Sequence, residues 1–343
     1  MTNKFHGKNV LVTGACGTVG AELVRQLVAG PAAHVVCLDN NETELFFQLE
    51  HYKPTGKVSA HLADIRDGDA LKLRMRGVDV VLHAAALKHV GLCEDSPNQA
   101  IHTNIQGTQN VIDAALASGV ERVIFTSSDK AVNPTNVMGT SKLMGERLIT
   151  AAAETYGKVI GRGKNGPSTI FASTRFGNVL GSRGSVVPLF KRQIDTGGPI
   201  TLTDRRMTRF IMTLEEATSL VLDSVWIATG GEVMVTKMPV ARIEDIAEVM
   251  RVGLGAGREI AITEIGAKPG EKMYEELMND EEVRRTYEYK DFFIVISAFA
   301  DIKKVQYSHL ASTPRPDRPY NSAVEPAMAR EALANYLADR DVL

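Results

Sequence analysis

The chain has 343 residues, 44% hydrophobic and 23% charged, with a net charge of -2 and a pI near 6.5. That balance argues against a disordered chain and against a nucleic-acid partner, and it suits one large or two closely joined domains. Cys16, Cys37 and Cys93 are too few and too scattered for a disulfide framework or a zinc site. With no signal-peptide core and no apolar run of bilayer length, the expectation is a cytoplasmic protein without a membrane span.

Lys8-Asn9-Val10-Leu11-Val12-Thr13 reads as a buried strand. It runs into Gly14-Ala15-Cys16-Gly17-Thr18-Val19-Gly20 and then a helical pattern through Leu23, Val24, Leu27 and Val28, which Gly30-Pro31 stops. A second strand, His34 to Leu38, ends on Asp39. Gly14, Gly17 and Gly20 allow a tight turn and close approach to a pyrophosphate, whose charge is stabilised at the helix N-terminus around Thr18 and Val19. Asp39, 19 residues beyond Gly20, is placed to accept from an adenosine ribose hydroxyl. The following Asn40-Asn41-Glu42 offers no cation for a ribose 2′-phosphate, so NAD is expected and NADP is disfavoured.

The alternation continues with a strand over Lys57 to Leu62, ending at Asp64 and Ile65, where an adenine would lie. Another strand, Val78 to His83, leads to Ala84, Ala85 and Ala86, small enough for a backbone to approach a cofactor. One long helix is expected between Ser96-Pro97 and Gly119, with Asn104 in its middle. Asn is a poor mid-helix residue, and it serves there either by bonding a carbonyl or in an active-site water network. Arg122-Val123-Ile124-Phe125 is a further strand, and Thr126-Ser127-Ser128-Asp129-Lys130-Ala131 follows it. A helix is expected from near Pro134. Polar, acidic and basic side chains thus stand where a strand gives way to a helix, which is where open parallel sheets bind ligands.

These strands and helices predict an α/β fold, a Rossmann-type doubly wound parallel sheet. Ser168 to Thr174 reads as the next strand. Arg183, Lys191, Arg192, Arg205, Arg206 and Arg209 then fall within 27 positions, a density that suits a diphosphate. Leu214 to Ile227 reads as a helix returning to the first domain, Ala241 onward as a smaller lobe, and the tail ends in a helix over Ala327 to Leu337. The expected division is a dinucleotide-binding domain over 1–175, to which 213–240 returns, and a smaller α/β substrate-binding lobe with the tail over most of 176–343.

Thr13-Gly14-x-x-Gly17-x-x-Gly20, Asn104, Ser128 and Lys142 resemble the extended short-chain dehydrogenase/reductases. More narrowly, several strings resemble the bacterial nucleotide-sugar 4,6-dehydratases acting on UDP-N-acetylglucosamine. They include Ala84-Ala85-Ala86-Leu87-Lys88-His89-Val90, Ser128-Asp129-Lys130-Ala131-Val132-Asn133-Pro134-Thr135-Asn136 and Arg175-Phe176-Gly177-Asn178-Val179-Leu180-Gly181-Ser182. Gly184 to Phe190, Thr208-Arg209-Phe210 and Pro269-Gly270-Glu271-Lys272 extend the likeness. One position departs from the wider family: Met138 stands four residues before Lys142, where a Tyr is usual, and a thioether exchanges no proton. Several of the dehydratases share that Met. Residues four apart share a helix face, so Met138 is expected on the Lys142 side.

The resemblance implies an internal redox cycle in which hydride leaves sugar C4, water is lost across C5 and C6, and hydride returns to C6. It assigns Asp129 as acid to the C6 hydroxyl and Lys130 as base at C5, which requires the Lys130 pKa to fall. Ser128 is expected to bond the C4 oxygen, and Lys142 to hold the nicotinamide ribose. Asn178, Ser185, Val186 and Lys191 are expected on the UDP-sugar, as are Lys88, Thr201 and Arg209, with Glu271 nearby. Asp39-Asn40-Asn41 resembles the branch that retains configuration at C5. Relatives pair through helices beside the active site, so a homo-oligomer is expected. A C5-inverting 4,6-dehydratase, an epimerase or reductase on the same fold, and a non-enzymatic NAD sensor are the alternatives.

Overall fold

The computed structural model describes residues 2–156, 169–181, 185–266, 272–300, 305–340 and 342–343. Six short apolar runs form parallel strands: β1 (Asn9–Thr13), β2 (His34–Asp39), β3 (Val58–Leu62), β4 (Val80–His83), β5 (Arg122–Ser128) and β6 (Ile170–Phe176). Alternate side chains of β1 enter different cores. Val10 and Val12 pack with Leu23, Leu27, Val221 and Val225 on one face, and Leu11 packs with Val81, Val111, Phe125 and Phe171 on the other. Burial on both faces is why these strands read as unbroken hydrophobic runs.

The covering helices are α1 (Thr18–Ala29), α2 (Glu42–Tyr52), α3 (Gly68–Arg74), α4 (Val90–Asp95), α5 (Pro97–Ala100), α6 (Gly107–Ser118) and α7 (Val137–Tyr156). The long helix expected over 96–119 is interrupted. Between α5 and α6 the chain takes a π-helical turn, Ile101–Gln106, and Asn104 lies within it. Such turns widen a helix by one residue and re-aim a side chain.

After β6 come β7 (Asn178–Val179), α8 (Val186–Asp195), β8 (Ile200–Leu202), β9 (Thr208–Met212) and α9 (Leu214–Ile227). Helix α9 packs on α1 through the core that holds Leu23, Val221 and Val225. Strand β10 (Val233–Thr236) pairs in parallel with β6. Next are β11 (Val240–Arg242), α10 (Ile243–Leu254), β12 (Ile262–Glu264), β13 (Glu276–Met278) and α11 (Asp280–Val283). The antiparallel strands β14 (Thr286–Tyr289) and β15 (Phe292–Val295) then rejoin the large sheet. Strand β16 (Tyr320–Asn321) and helix α12 (Arg330–Ala338) end the chain.

The large sheet therefore has the order β14-β15-β10-β6-β5-β4-β1-β2-β3. The chain moves outward from β1 to β3, then restarts at β4 on the other side of β1. The strand order reverses there, and the loops after β1 and β4 flank the crevice. A third core, with Phe190, Ile200, Ile211, Ile246 and Leu333, joins α8, α10 and α12. No described helix is long and apolar enough to cross a membrane.

Candidate active site

The loop after β1 is held by contacts that exclude side chains. Gly14 has φ +66°, and a Cβ there would lie 2.7 Å from Ala85 Cα. A Cβ on Gly20 would lie 2.0 Å from the Gly14 carbonyl oxygen. Glycine is thus dictated at both positions, and the alanines after β4 are small because the β1 loop packs on them. Helix α1 starts at Thr18 without a side-chain cap and without an acidic residue in its first turn. Its leading N–H groups are left to an anion. Asp39 ends β2 with one carboxylate oxygen accepting from Cys16 N and the other from Asn41 N, each at 2.9 Å. Asn40 donates to Asp64 at 3.2 Å, and Arg66 pairs with Asp64 at 2.6 Å. That guanidinium's hydrogen bond is the main reason the Asp64 carboxyl falls to about 2. The Ile65 side chain is buried among core residues. These features fit a dinucleotide: an uncapped helix start for the pyrophosphate and two carboxylates, rather than free cations, around the ribose position.

A buried polar chain ties this loop to the active-site helix. Thr108 Oγ1 donates to the Asn104 carbonyl at 2.7 Å, so it accepts from His83 Nε2 at 3.1 Å. His83 Nδ1 then accepts from Thr13 Oγ1 at 2.8 Å. Burial, with Lys142 adding to it, drives His83 down to about 3 and keeps the ring neutral. Asn104 Oδ1 accepts from Leu87 N, and its Nδ2 donates to Leu87 O and to Ser141 Oγ. Of the two readings of Asn104, these bonds support the carbonyl partner: it fastens the loop after β4 to α7.

On the other side of the crevice, β5 ends at Ser128 and a single turn of helix carries Asp129 and Lys130. Ser128 Oγ donates to Asp129 Oδ1 at 2.9 Å and accepts from Lys130 N at 3.1 Å. Lys130 Nζ lies 3.1 Å from both oxygens of the buried Asp129 carboxylate. Burial pulls the Lys130 ammonium down, but Asp129 and then Glu275 outweigh it and leave the group above its ordinary value. The expected lowering of Lys130 is therefore reversed in this arrangement. Lys142, 7% exposed, donates to Thr126 O at 3.0 Å and lies 4.7 Å from the Phe125 ring centre. Burial brings it to about 8.

Met138 is 3% exposed and packs in a small apolar cluster with Cys93 and Ala100. Met138 and Lys142 are both buried on α7, as residues one helical turn apart can be.

A cavity of about 780 Å³ opens beside Asp129 and Lys130. Asn178, Ser185, Val186, Thr201 and Arg209 line it, which brings five of the expected substrate residues together. Ser185 Oγ has no hydrogen-bond partner among the described residues and stands at the start of α8. Lys88 and Lys191 are both exposed and do not join that wall. Glu271 and Arg183 lie outside the described residues. Arg205 and Arg206 pair with Glu244 and Asp204, so the basic cluster is largely spent on neighbours. Arg209 is nearly buried, and its guanidinium donates to the carbonyls of Thr208, Lys272 and Met273. Sequence reasoning missed Glu94, Lys272 and Glu275 in the wall. Lys272 ends a string already noted, but Glu94 and Glu275 carry no periodic or motif signal of their own.

A family profile described as polysaccharide biosynthesis protein matches residues 10–297. The chain belongs to this family. Within it, the Methanocaldococcus jannaschii protein named uncharacterized membrane protein MJ1061 is 47% identical over 300 residues, 86% of this chain and 87% of that one. A Campylobacter jejuni protein named UDP-N-acetylglucosamine 4,6-dehydratase (inverting) is 36% identical over 85% of this chain and 83% of its own. A Rickettsia rickettsii protein named UDP-glucose 4-epimerase is 36% identical over 88% of this chain and 87% of its own. The X-ray structure of Pen from Bacillus thuringiensis superposes with a TM-score of 0.88 at 40% identity, covering 99% of both chains. DesIV, a dTDP-glucose 4,6-dehydratase from Streptomyces venezuelae solved with NAD and TYD, shares the fold at a TM-score of 0.67 and 24% identity, over 77% of this chain and 86% of that one.

Proposed function

We propose that this chain is a nucleotide-sugar 4,6-dehydratase of surface-glycan synthesis that uses NAD and acts on UDP-N-acetylglucosamine with retention at C5. The observation that carries the reading is the Ser128-Asp129-Lys130 turn, whose acid–base pair lines a cavity together with Ser185 and α8. The bound nicotinamide would supply the hydride acceptor and donor.

The protein's own residues manage protons. Loss of water across C5 and C6 needs a base for the C5 proton and an acid for the departing C6 oxygen. Lys130, once an amine, takes the C5 proton and becomes ammonium. Asp129, once protonated, delivers its proton to the C6 oxygen as the C6–O bond breaks, and water leaves. Ser128 gives its hydroxyl hydrogen bond to Asp129 in the free protein, so its O–H must turn about the Cβ–Oγ bond to donate to the C4 oxygen. In this reading Lys142, which donates to Thr126 O, holds the nicotinamide ribose, and the uncapped start of α1 holds the pyrophosphate. Asp39 with Asp64 favours a free ribose hydroxyl, hence NAD over NADP. Asp129 and Lys130 form one cluster, which supports return of the C5 proton to the face it left.

The test is incubation of purified protein with UDP-N-acetylglucosamine, read by mass and NMR. A product lighter by one water supports the dehydratase, and ring coupling constants report C5. The second reading, a 4-epimerase, rests on the name of the Rickettsia relative and yields a product of unchanged mass. It leaves the Asp129–Lys130 pair without a task.

A further inference from the structure

Glu275 stands just before β13, is 4% exposed, and shares the cavity wall with Asp129, Lys130 and Arg209. Its position is fixed from several sides. Glu275 N donates to Ser322 Oγ at 2.9 Å, and Ser322 N donates to Glu275 O at 2.9 Å. Its Oε2 accepts from Phe210 N at 3.0 Å, and Oε1 lies 3.4 Å from Arg209 Nε. Gly177 keeps this corner open: a Cβ there would lie 2.9 Å from Phe210 Cβ and 3.5 Å from Glu275 Oε2. A little further on, Arg175, fully buried, bridges Glu146 of α7 and Glu282 of α11 and donates to the Leu277 carbonyl. The strand after Glu275 is thereby fastened to the helix that carries Lys142.

A carboxylate serving only as the partner of Arg209 would stay ionised. Here burial first, and the neighbouring Asp129 second, push Glu275 up to about 8, against the pull of Arg209 and Lys130. Burial and Asp129 thus favour the protonated form of Glu275 beside the Asp129–Lys130 ion pair. Among the described residues, the charged groups acting on Glu275 are Asp129 and Lys130 from the turn after β5 and Arg209 from β9, and Lys272 and Glu94 share the cavity wall.

We propose that Glu275 is a positioning residue that acts through Lys130: the proton on Glu275 sets the negative charge Lys130 faces, and so the ease with which Lys130 passes from ammonium to amine. With Glu275 neutral, Asp129 is the carboxylate that Lys130 faces among the described residues. With Glu275 ionised, two carboxylates hold the ammonium. No proton needs to move between Glu275 and substrate. The role deepens the dehydratase reading and rests on it for its purpose, but the coupling is measurable without turnover.

The experiment compares wild-type and E275Q proteins, each loaded with NAD. Lys130 ionisation is followed by pulse acetylation across pH, with mass spectrometry of the Lys130 peptide. Because Gln cannot ionise, E275Q should titrate Lys130 at lower pH, by roughly one unit. Dehydration, measured in parallel, should give an E275Q to wild-type rate ratio that rises several-fold between pH 7 and 9, in kcat rather than KM. E275D, which keeps an ionisable acid, should restore the wild-type trend and serves if E275Q folds poorly. An unchanged Lys130 titration in folded E275Q, or a rate ratio flat or falling with pH, overturns the proposal. Failure of the wild-type protein to release water overturns the dehydratase reading instead, while the labelling still decides the coupling.

Discussion

Lys130 Nζ lies 3.1 Å from each oxygen of the Asp129 carboxylate, so the two groups proposed to remove and deliver protons are joined to each other in the free protein. Chemistry at C5 requires this pair to part, or to exchange its proton, when the sugar enters. The pair thus stores the reactive groups in their unreactive ionisation states. This turns attention from either residue alone to what separates them.

Replacing Lys130 with Met keeps the stem and removes the base. K130M is expected to lower dehydration by at least about a hundredfold, the scale of a lost general base, while leaving bound NAD unchanged. Product assays beside cofactor content in the purified protein check both halves.

Asp39 should decide the cofactor. D39A removes the carboxylate that bonds Cys16 N and Asn41 N. It is expected to weaken NAD binding roughly tenfold, in line with loss of charge-assisted bonds to ribose, and to narrow the preference over NADP. Equilibrium titration with each dinucleotide measures this.

Met138 marks the residue that most separates the site from a Tyr-bearing dehydrogenase. Because its side chain packs with Cys93 and Ala100, M138Y should not restore a proton relay. It should destabilise the fold by about 1–3 kcal/mol through overpacking and a buried hydroxyl. Denaturant unfolding and a rate assay are sufficient; a faster, equally stable M138Y would contradict the packing account.

His83 gives the fold a pH signature. Its folded pKa, about 3, lies below the unfolded value near 6.5, so the unfolded chain binds the extra proton between them. The stability it contributes is complete above about pH 6.5 and is lost progressively as pH falls toward 3. H83Q should flatten that part of the stability curve, as read by urea unfolding at pH 7 and pH 5.

Much of this architecture is legible in the chain because burial on both sheet faces writes strands as unbroken apolar runs, and because Gly14 and Gly20 answer to backbone contacts that tolerate no Cβ. The hairpin of β14 and β15 is harder to see. Thr286–Tyr289 mixes polar and aromatic residues and pairs with β15, which itself joins the sheet by pairing with β10, far earlier in the chain. The π-helical turn at Asn104 leaves no mark in helical periodicity. Its cause is tertiary, the bonds to Leu87 and Ser141. The same holds for the site: Ser128, Asp129 and Lys130 are adjacent in sequence, whereas Glu275 reaches them only through the fold.

The most direct test of the account is the reaction of the purified protein with UDP-N-acetylglucosamine, followed by mass spectrometry and NMR with K130M as the control. The account predicts a UDP-sugar lighter by one water, a 4-keto-6-deoxy product with its C5 configuration kept, and none from K130M. Unchanged substrate, or an isomer of the same mass, would contradict it.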